Sequence, residues 1–430
     1  MINSTKGSSV SLGIRRPFLP LLLLFLYVYL PGIGLWLMSS LDGGALGVAD
    51  SELVSAYLIH ATTMYVLAWY LSGWRIRPRL LKAPVSLDQG NPSRGAVLLM
   101  LLATGFLFAM GGAKILFLGE DRGVVRSTLG VAGFFYTWLQ IYLVPFVVAV
   151  MAGFHIRHGR DVRVAALTTY ALGLVIGIMS GYKFTTILIF LPALTLAIRE
   201  ARWMSLMLVS IGVMAVLMLT ETMQSGRPPD EALTYLLARA TSVAAYGVMG
   251  AWSEFSQSGP SLTRIVDSFL LLFGSKVASW LSGIPEYSVD FLRFNLSRYI
   301  TYLYYPDTDG AINGTVNLTL TVFGEGVVML GGSLYWIWSL LAGAVVGFVL
   351  RGYARAQSRG DVLLASWWLV YYFSVILSWI NSSGWIIILS LPVIVGMTAL
   401  RWGIGRRILV NRPPVKQLIT PSISRGVIGA

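Results

Sequence analysis

Between Arg298 and Asn317 the chain gathers side chains suited to holding a sugar. Tyr299, Tyr302, Tyr304 and Tyr305 offer flat faces and phenolic hydroxyls, and Asp307, Asp309, Asn313 and Asn317 offer carboxylates and amides for ring hydroxyls. Interfacial tyrosines are equally expected of any chain that meets a membrane surface. Three cations lie beside apolar runs: Lys183 after Ser180-Gly181-Tyr182, Arg239 at the flank of an apolar stripe, and Lys276 on one face with Phe269, Leu272 and Phe273. A cation against apolar surface needs an anion or an aqueous exit, so each is either an anion-binding group or a side chain snorkelling to water. Cysteine is absent, which removes thiol and disulfide chemistry. The three histidines, His60, His155 and His158, make no metal-ligand pattern, and no metal or cofactor is expected.

The elements that position these groups are apolar. With 56% hydrophobic and 12% charged residues, the chain is an integral membrane protein and not a water-soluble globule. Crossing roughly 30 Å of hydrocarbon takes about 20 apolar residues. Runs of that kind predict ten spans, at about 17–38, 53–72, 95–118, 131–154, 164–180, 184–198, 203–219, 327–350, 362–380 and 385–400. With the N-terminus inside, the inner connections hold 22 Lys and Arg against Asp88, Asp161, Glu200 and Asp361, a net of +18, and the outer ones carry a net of −5. Lys and Arg resist translocation, so both termini are expected in the cytoplasm. The excess of positive charge reports topology and does not point to nucleic acid. The expected class is an all-α polytopic membrane protein of about ten transmembrane helices. Residues 1–219 form a first membrane bundle, 220–326 one large external loop with amphipathic helices, 327–400 a second bundle and 401–430 a basic cytoplasmic tail.

Two hairpins are expected to turn below the outer surface. Residues 184–198 span only about 22 Å as a helix, short of the hydrocarbon thickness, so the turn at Gly181-Tyr182-Lys183 is expected to be sunken. The last two spans turn at the uncharged Asn381-Ser382-Ser383-Gly384. A turn at that depth must be buried in protein or line a wet cavity, and two of them imply an outward-facing depression. In the long loop, Leu233, Leu236, Leu237, Ala240, Ala244, Gly247, Val248 and Ala251 follow a helical period after Pro228-Pro229-Asp230. A second amphipathic helix is expected from Leu262 to Gly283, carrying Lys276.

Four local motifs join this architecture: Gly119-Glu120-Asp121-Arg122-Gly123-Val124-Val125-Arg126, Ser180-Gly181-Tyr182-Lys183, Leu237-Ala238-Arg239-Ala240-Thr241-Ser242 and Thr321-Val322-Phe323-Gly324-Glu325-Gly326. Together they resemble the Wzy-type polymerases of O-antigen and capsule repeat units. The chain departs from that pattern after the glutamate, where Val327-Val328-Met329-Leu330-Gly331 follows in place of an aromatic and a further Phe-Gly. The resemblance implies a glycosyltransferase of the bacterial inner membrane with a periplasmic loop. It implies undecaprenyl-pyrophosphate-linked oligosaccharide as donor and acceptor, membrane lipid around it, and a chain-length regulator as partner. On it, Glu325 is the base for the attacking sugar hydroxyl, or else a carboxylate capping the start of the eighth span. Arg122, Arg126, Lys183 and Arg239 are the expected pyrophosphate contacts, Arg122 and Arg126 sharing a helix face. Lys276, Arg298, Tyr299, Asn313 and Asn317 are further candidates for substrate. An O-antigen ligase and a flippase of lipid-linked sugar are the rival readings; related ligases use an external histidine, which is lacking here, and no internal repeat of a transporter is visible.

Overall fold

The computed structural model describes residues 17–40, 50–73, 92–118, 125, 129, 132–180, 183–198, 211–212, 214–215, 218, 221–222, 228–313, 318–382 and 384–409. Among them there is no strand. Five helices are long and apolar enough to cross a membrane: Phe18–Met38, Ser93–Ile115, Phe135–Met179, Tyr335–Ser358 and Val362–Asn381. The chain is therefore an all-helical protein with the helices of a membrane-embedded one. The 45-residue apolar stretch from Phe135 to Met179 contains a positive-φ break at Gly159, after which its two halves pack on each other. Most of the expected span at 203–219 lies outside the described residues.

In chain order, the membrane part begins with α1 (Phe18–Ser40), α2 (Ser51–Gly73), α3 (Ser93–Leu107), α4 (Val144–His158), α5 (Arg163–Met179) and α6 (Lys183–Ala197). The segment that follows holds α7 (Pro229–Ala238), α8 (Ala244–Phe255), α9 (Leu262–Phe269), α10 (Ser275–Ser282), α11 (Leu296–Tyr304) and α12 (Thr308–Asn313). The chain returns through α13 (Thr321–Leu330), α14 (Tyr335–Ser358), α15 (Val362–Tyr371), α16 (Leu377–Ser382) and α17 (Leu391–Thr398).

Two cores hold these helices. The first joins α1, α2, α8, α13 and α14. On α2, Leu53, Tyr57, His60, Met64, Ala68 and Leu71 recur at the helical period and are all buried, giving a stripe that packs along α14. The hydroxyl of Tyr57 donates to the Val28 carbonyl at 2.9 Å, and His60 Nδ1 meets Ser339 Oγ at 2.6 Å, so α2 is tied to both neighbours inside the apolar stack. The second core centres on α4, where every residue from Val144 to Phe154 is buried. A helix apolar on all sides must be surrounded, and α3, α5, α6 and α15 surround it.

Three expectations change at element boundaries. The apolar helix expected from 327 begins at Tyr335 instead, because the chain breaks at Gly331 (φ 77) and separates the short α13 from the long α14. The expected helix from Leu262 to Gly283 is broken as well: Gly274 adopts φ 93, which an L side chain rarely tolerates, and the two arms bend by 118°. Lys276 is exposed beyond that bend and does not share a helix face with Phe269 and Phe273. The periodic stretch from 233 to 251 does form one helical run, α7 and α8 joined through a π-helical turn at Arg239–Val243. Its second half is buried against α1 and α13.

Candidate functional site

The helix α13 is too short to cross a bilayer, and Thr321 to Met329 is buried on every side. At its first residue Thr321 has φ 62, a conformation a β-branched side chain adopts at a cost of about 1–3 kcal/mol. Its hydroxyl is buried with no partner among the described residues. One turn later comes Glu325, fully buried. Its Oε2 accepts from the indole N–H of Trp338 at 3.2 Å and of Trp379 at 2.8 Å; its Oε1 accepts from the amides of Gly384 at 3.0 Å and Trp385 at 2.7 Å. An ionised carboxylate has about four acceptor sites, and here four N–H groups fill them. No cation pairs with it among the described residues.

This arrangement works because each partner arrives from a different element. Trp338 sits one turn into α14, Trp379 lies in α16, and Gly384 and Trp385 open a short 3-10 helix at Trp385–Leu389. Gly384, at φ 106, lets the two successive amides converge on one oxygen, an anion-binding nest at a helix start. Glu325 thus caps the segment at 385–389 and not the start of the long span that follows it. The Trp385 ring extends the connection outward: its edge meets Trp338 with ring centroids 5.8 Å apart, Phe269 lies at 5.0 Å, and its N–H donates to Ser268 Oγ at 3.1 Å.

Beside this carboxylate lies a cavity of about 300 Å³. Leu271, Gly274 and Ser275 at the bend between α9 and α10 form one wall, Asn295 at the head of α11 another, and Glu325 and Trp385 a third. The uncharged turn at the end of α16 therefore borders a cavity. The turn at 181–182 before α6 lies outside the described residues, as does the side chain of Lys183.

The other sequence candidates fall into two sets, those outside the described residues and those within them. Arg122, Arg126 and Asn317 lie outside the described residues, as do the side chains of Lys183 and Arg239; their backbones begin α6 and the π-helical turn before α8. Lys276 and Asn313 are exposed. Tyr299 is half-buried, its ring against Phe255 at 6.3 Å.

Arg298 is held by carbonyls of the chain itself. It is 7% exposed, its Nε donates to the Ala311 carbonyl at 3.0 Å and its Nη2 to that of Ile312, so it clamps α11 to the end of α12. Burial pulls its pKa below the usual arginine value, opposed by the nearby Glu286 and Tyr287. Arg298→Met is expected to cost about 2–3 kcal/mol, because two carbonyls lose a charged donor, with Arg298→Lys recovering part. Thermal unfolding and the rate of proteolysis in 305–313 check this; an unchanged rate in the Met variant rejects the clamp.

Sequence reasoning singled out Glu325 and missed its donors. Trp338 and Trp379 carry no local signal, since a tryptophan in an apolar run reads as lipid-facing or core until its indole N–H is given a partner. The partners of Tyr304, on the α8 and α11 faces, were also missed. There the Tyr304 hydroxyl donates to Glu254 Oε1 at 2.5 Å and lies 2.6 Å from Ser253 Oγ, and burial followed by the Glu254 bond pushes its pKa up to about 12. It extends the tyrosine run toward a carboxylate, as a sugar-binding surface needs.

Comparison of the chain with family models, with curated proteins and with solved structures finds no match.

Proposed function

We propose that this chain is a membrane glycosyltransferase that polymerises lipid-linked oligosaccharide repeat units at the outer face of a bacterial inner membrane. On this reading it has about ten spans, both termini inside and the segment from 220 to 326 in the periplasm. The observation that carries the proposal is the cavity between the bent pair α9–α10 and the buried Glu325, at the junction of the external segment and the membrane helices. The charge bias of the connections and the tyrosine run of α11 support it.

In the reaction the acceptor sugar hydroxyl forms a bond to the anomeric carbon of the growing glycan. The bond from that carbon to undecaprenyl pyrophosphate breaks, the electron pair leaving with the pyrophosphate. The hydroxyl proton passes to a carboxylate. Arg122, Arg126, Lys183 and Arg239 are the groups assigned to the pyrophosphate charge. Glu325, which lines the cavity, takes the proton only if it gives up one of its four donors, and the Gly384–Trp385 amides are the pair on the hairpin turn.

The test is a deletion of the gene in its host, complemented by the wild-type chain and by Leu271→Trp, which fills the cavity while leaving the Glu325 cage intact. Surface polysaccharide run on a gel is expected to collapse from a ladder to a single repeat in the deletion, and to stay collapsed with normal amounts of Leu271→Trp protein. Lipid-linked polymer left unattached would mean a ligase, and repeats held inside the cell a flippase. An unchanged ladder in the deletion rejects all three, and a full ladder with Leu271→Trp removes the cavity from the reaction.

A further inference from the structure

The bent pair α9–α10 carries an apolar surface that the protein does not cover. Along α9 and the turn after it, Leu262, Val266, Phe269 and Phe273 recur at helical spacing, and all four are exposed, Leu262 at 73% and Val266 at 54%. On α10 the surface continues through Val277, Trp280 (80% exposed) and Leu281. Together the two arms are long and apolar enough for a span, yet they bend back by 118°.

Several of its polar groups have partners. At the bend the Gly274 amide donates to the Leu271 carbonyl at 2.9 Å, and the Ala278 amide to the Gly274 carbonyl at 3.0 Å. Ser275 donates to Glu286, and Ser279 to the Ile284 carbonyl at 2.6 Å. On the inner side of α9, Arg264 donates to the Val328 carbonyl at 2.9 Å and Asp267 faces Arg293 at 3.8 Å. Groups satisfied in this way meet the condition for contact with hydrocarbon.

The surface is also continuous with one that lipid would cover. The turn at Leu270–Phe273 packs against Trp385–Leu389 and α17, whose Leu389, Leu391, Ile394 and Val395 are exposed on an apolar helix.

We propose that α9, the turn at Gly274 and α10 form a re-entrant element immersed in one leaflet of the bilayer, its stripe toward acyl chains and Lys276 reaching the phosphate headgroups. On the topology proposed above the leaflet is the external one. The inner side of the same bend walls the cavity, which places that cavity directly behind a lipid-contacting element. An amphipathic helix of this kind seats its apolar face about 5–10 Å into the headgroup and acyl boundary, and a lysine stem is long enough to bring its ammonium back to the phosphates.

The absence of cysteine makes the test direct. Single cysteines at Val266, Phe273 and Trp280, and at the exposed Asp309 as a control, are labelled with bimane in the full-length chain. Each protein is reconstituted into vesicles of phosphatidylcholine and phosphatidylglycerol. Lipids carrying a doxyl group on the acyl chain are expected to quench the three stripe labels and not Asp309, with depths of about 5–10 Å, while aqueous iodide does the reverse. Iodide quenching of the stripe labels equal to that at Asp309 would overturn the proposal. Quenching by neither would overturn it too, because a second copy or another protein would then cover the stripe. The three sites are independent, so one that disturbs folding leaves two to decide. The readout needs no activity, and failure of the polymerase reading would leave it untouched.

Discussion

Glu325→Gln is expected to destabilise the folded chain by about 3–5 kcal/mol, although it changes one atom of a buried side chain. The reason is the uniform polarity of the cage. Trp338 and Trp379 both donate to Oε2, and Gly384 and Trp385 both donate to Oε1. A carboxamide has one oxygen to accept with and one NH2 that only donates, so either orientation turns that NH2 toward two N–H groups. Two buried donors then lose their acceptor at about 1–3 kcal/mol each. Trp379→Phe keeps a six-membered aromatic ring, removes a single charge-assisted donor and leaves a small cavity at a fully buried position, and its expected cost is smaller, about 2–3 kcal/mol. Thermal unfolding of the three proteins in one detergent gives the order wild type, Trp379→Phe, Glu325→Gln. A Gln variant as stable as wild type would show that the cage does not hold the fold.

The same comparison separates anchoring from proton transfer. A carboxylate that only abstracts a proton loses activity on amidation while the protein keeps its melting temperature. One that only anchors loses stability, and activity returns when the variant is measured well below its melting point. The cage predicts a loss of stability in every case, so an activity gel alone misassigns this residue. Leu271→Trp is the cleaner probe of the reaction, because it alters the cavity without removing any of the four donors.

Helix content and the membrane class were legible from the chain because both rest on run length and apolarity, properties that each span carries alone. Boundaries inside apolar runs were less legible. Leu270-Leu271-Leu272-Phe273 keeps the helical period up to Gly274, and a glycine within such a run costs a helix only about 1 kcal/mol, too little to predict a 118° bend. The bend follows from tertiary contacts, the packing of that turn against Trp385–Leu389 and α17. At Gly331-Gly332 a stop signal was present, and apolar residues on both sides concealed it.

The candidate site divides in the same way. Glu325 stood out through the Thr321–Gly326 motif that carries the resemblance, where it lies between two glycines. Its partners did not, since they lie 13, 54, 59 and 60 residues further along the chain and only the packed helices bring them together. The carbonyl partners of Arg298 were hidden for a related reason. A run of tyrosines beside an arginine suggests a binding surface, whereas the carbonyls that claim its guanidinium belong to a helix end 13 and 14 residues away.

Gly331→Ala is expected to cost about 3–5 kcal/mol, for two causes that add. Its backbone, at φ 77 and ψ 174, lies in a region open essentially to glycine alone. A Cβ there would also overlap the carbonyl oxygen of Ser258, a backbone atom with little freedom to withdraw. The consequence reaches beyond the residue because this contact closes the last turn of α13. Its terminal carbonyls have no partner within the helix and are met from outside: Val327 by the Gly331 amide at 2.8 Å, Val328 by Arg264 at 2.9 Å and Met329 by the Ser261 amide at 2.9 Å. Gly332 adds a bond to the Ser256 carbonyl at 3.0 Å. Pushing residues 256–261 away from Gly331 strains this whole set, and with it the docking of α9 beside the cavity. Gly259→Ala is the control, since a Cβ at that exposed position meets nothing within 4 Å, and it is expected to leave stability within about 0.5 kcal/mol. If Gly331→Ala melts with Gly259→Ala, the clasp between the 256–261 loop and the end of α13 does not stabilise the fold; if it melts well below, the 228–313 segment and the helices that follow it are held together at that point.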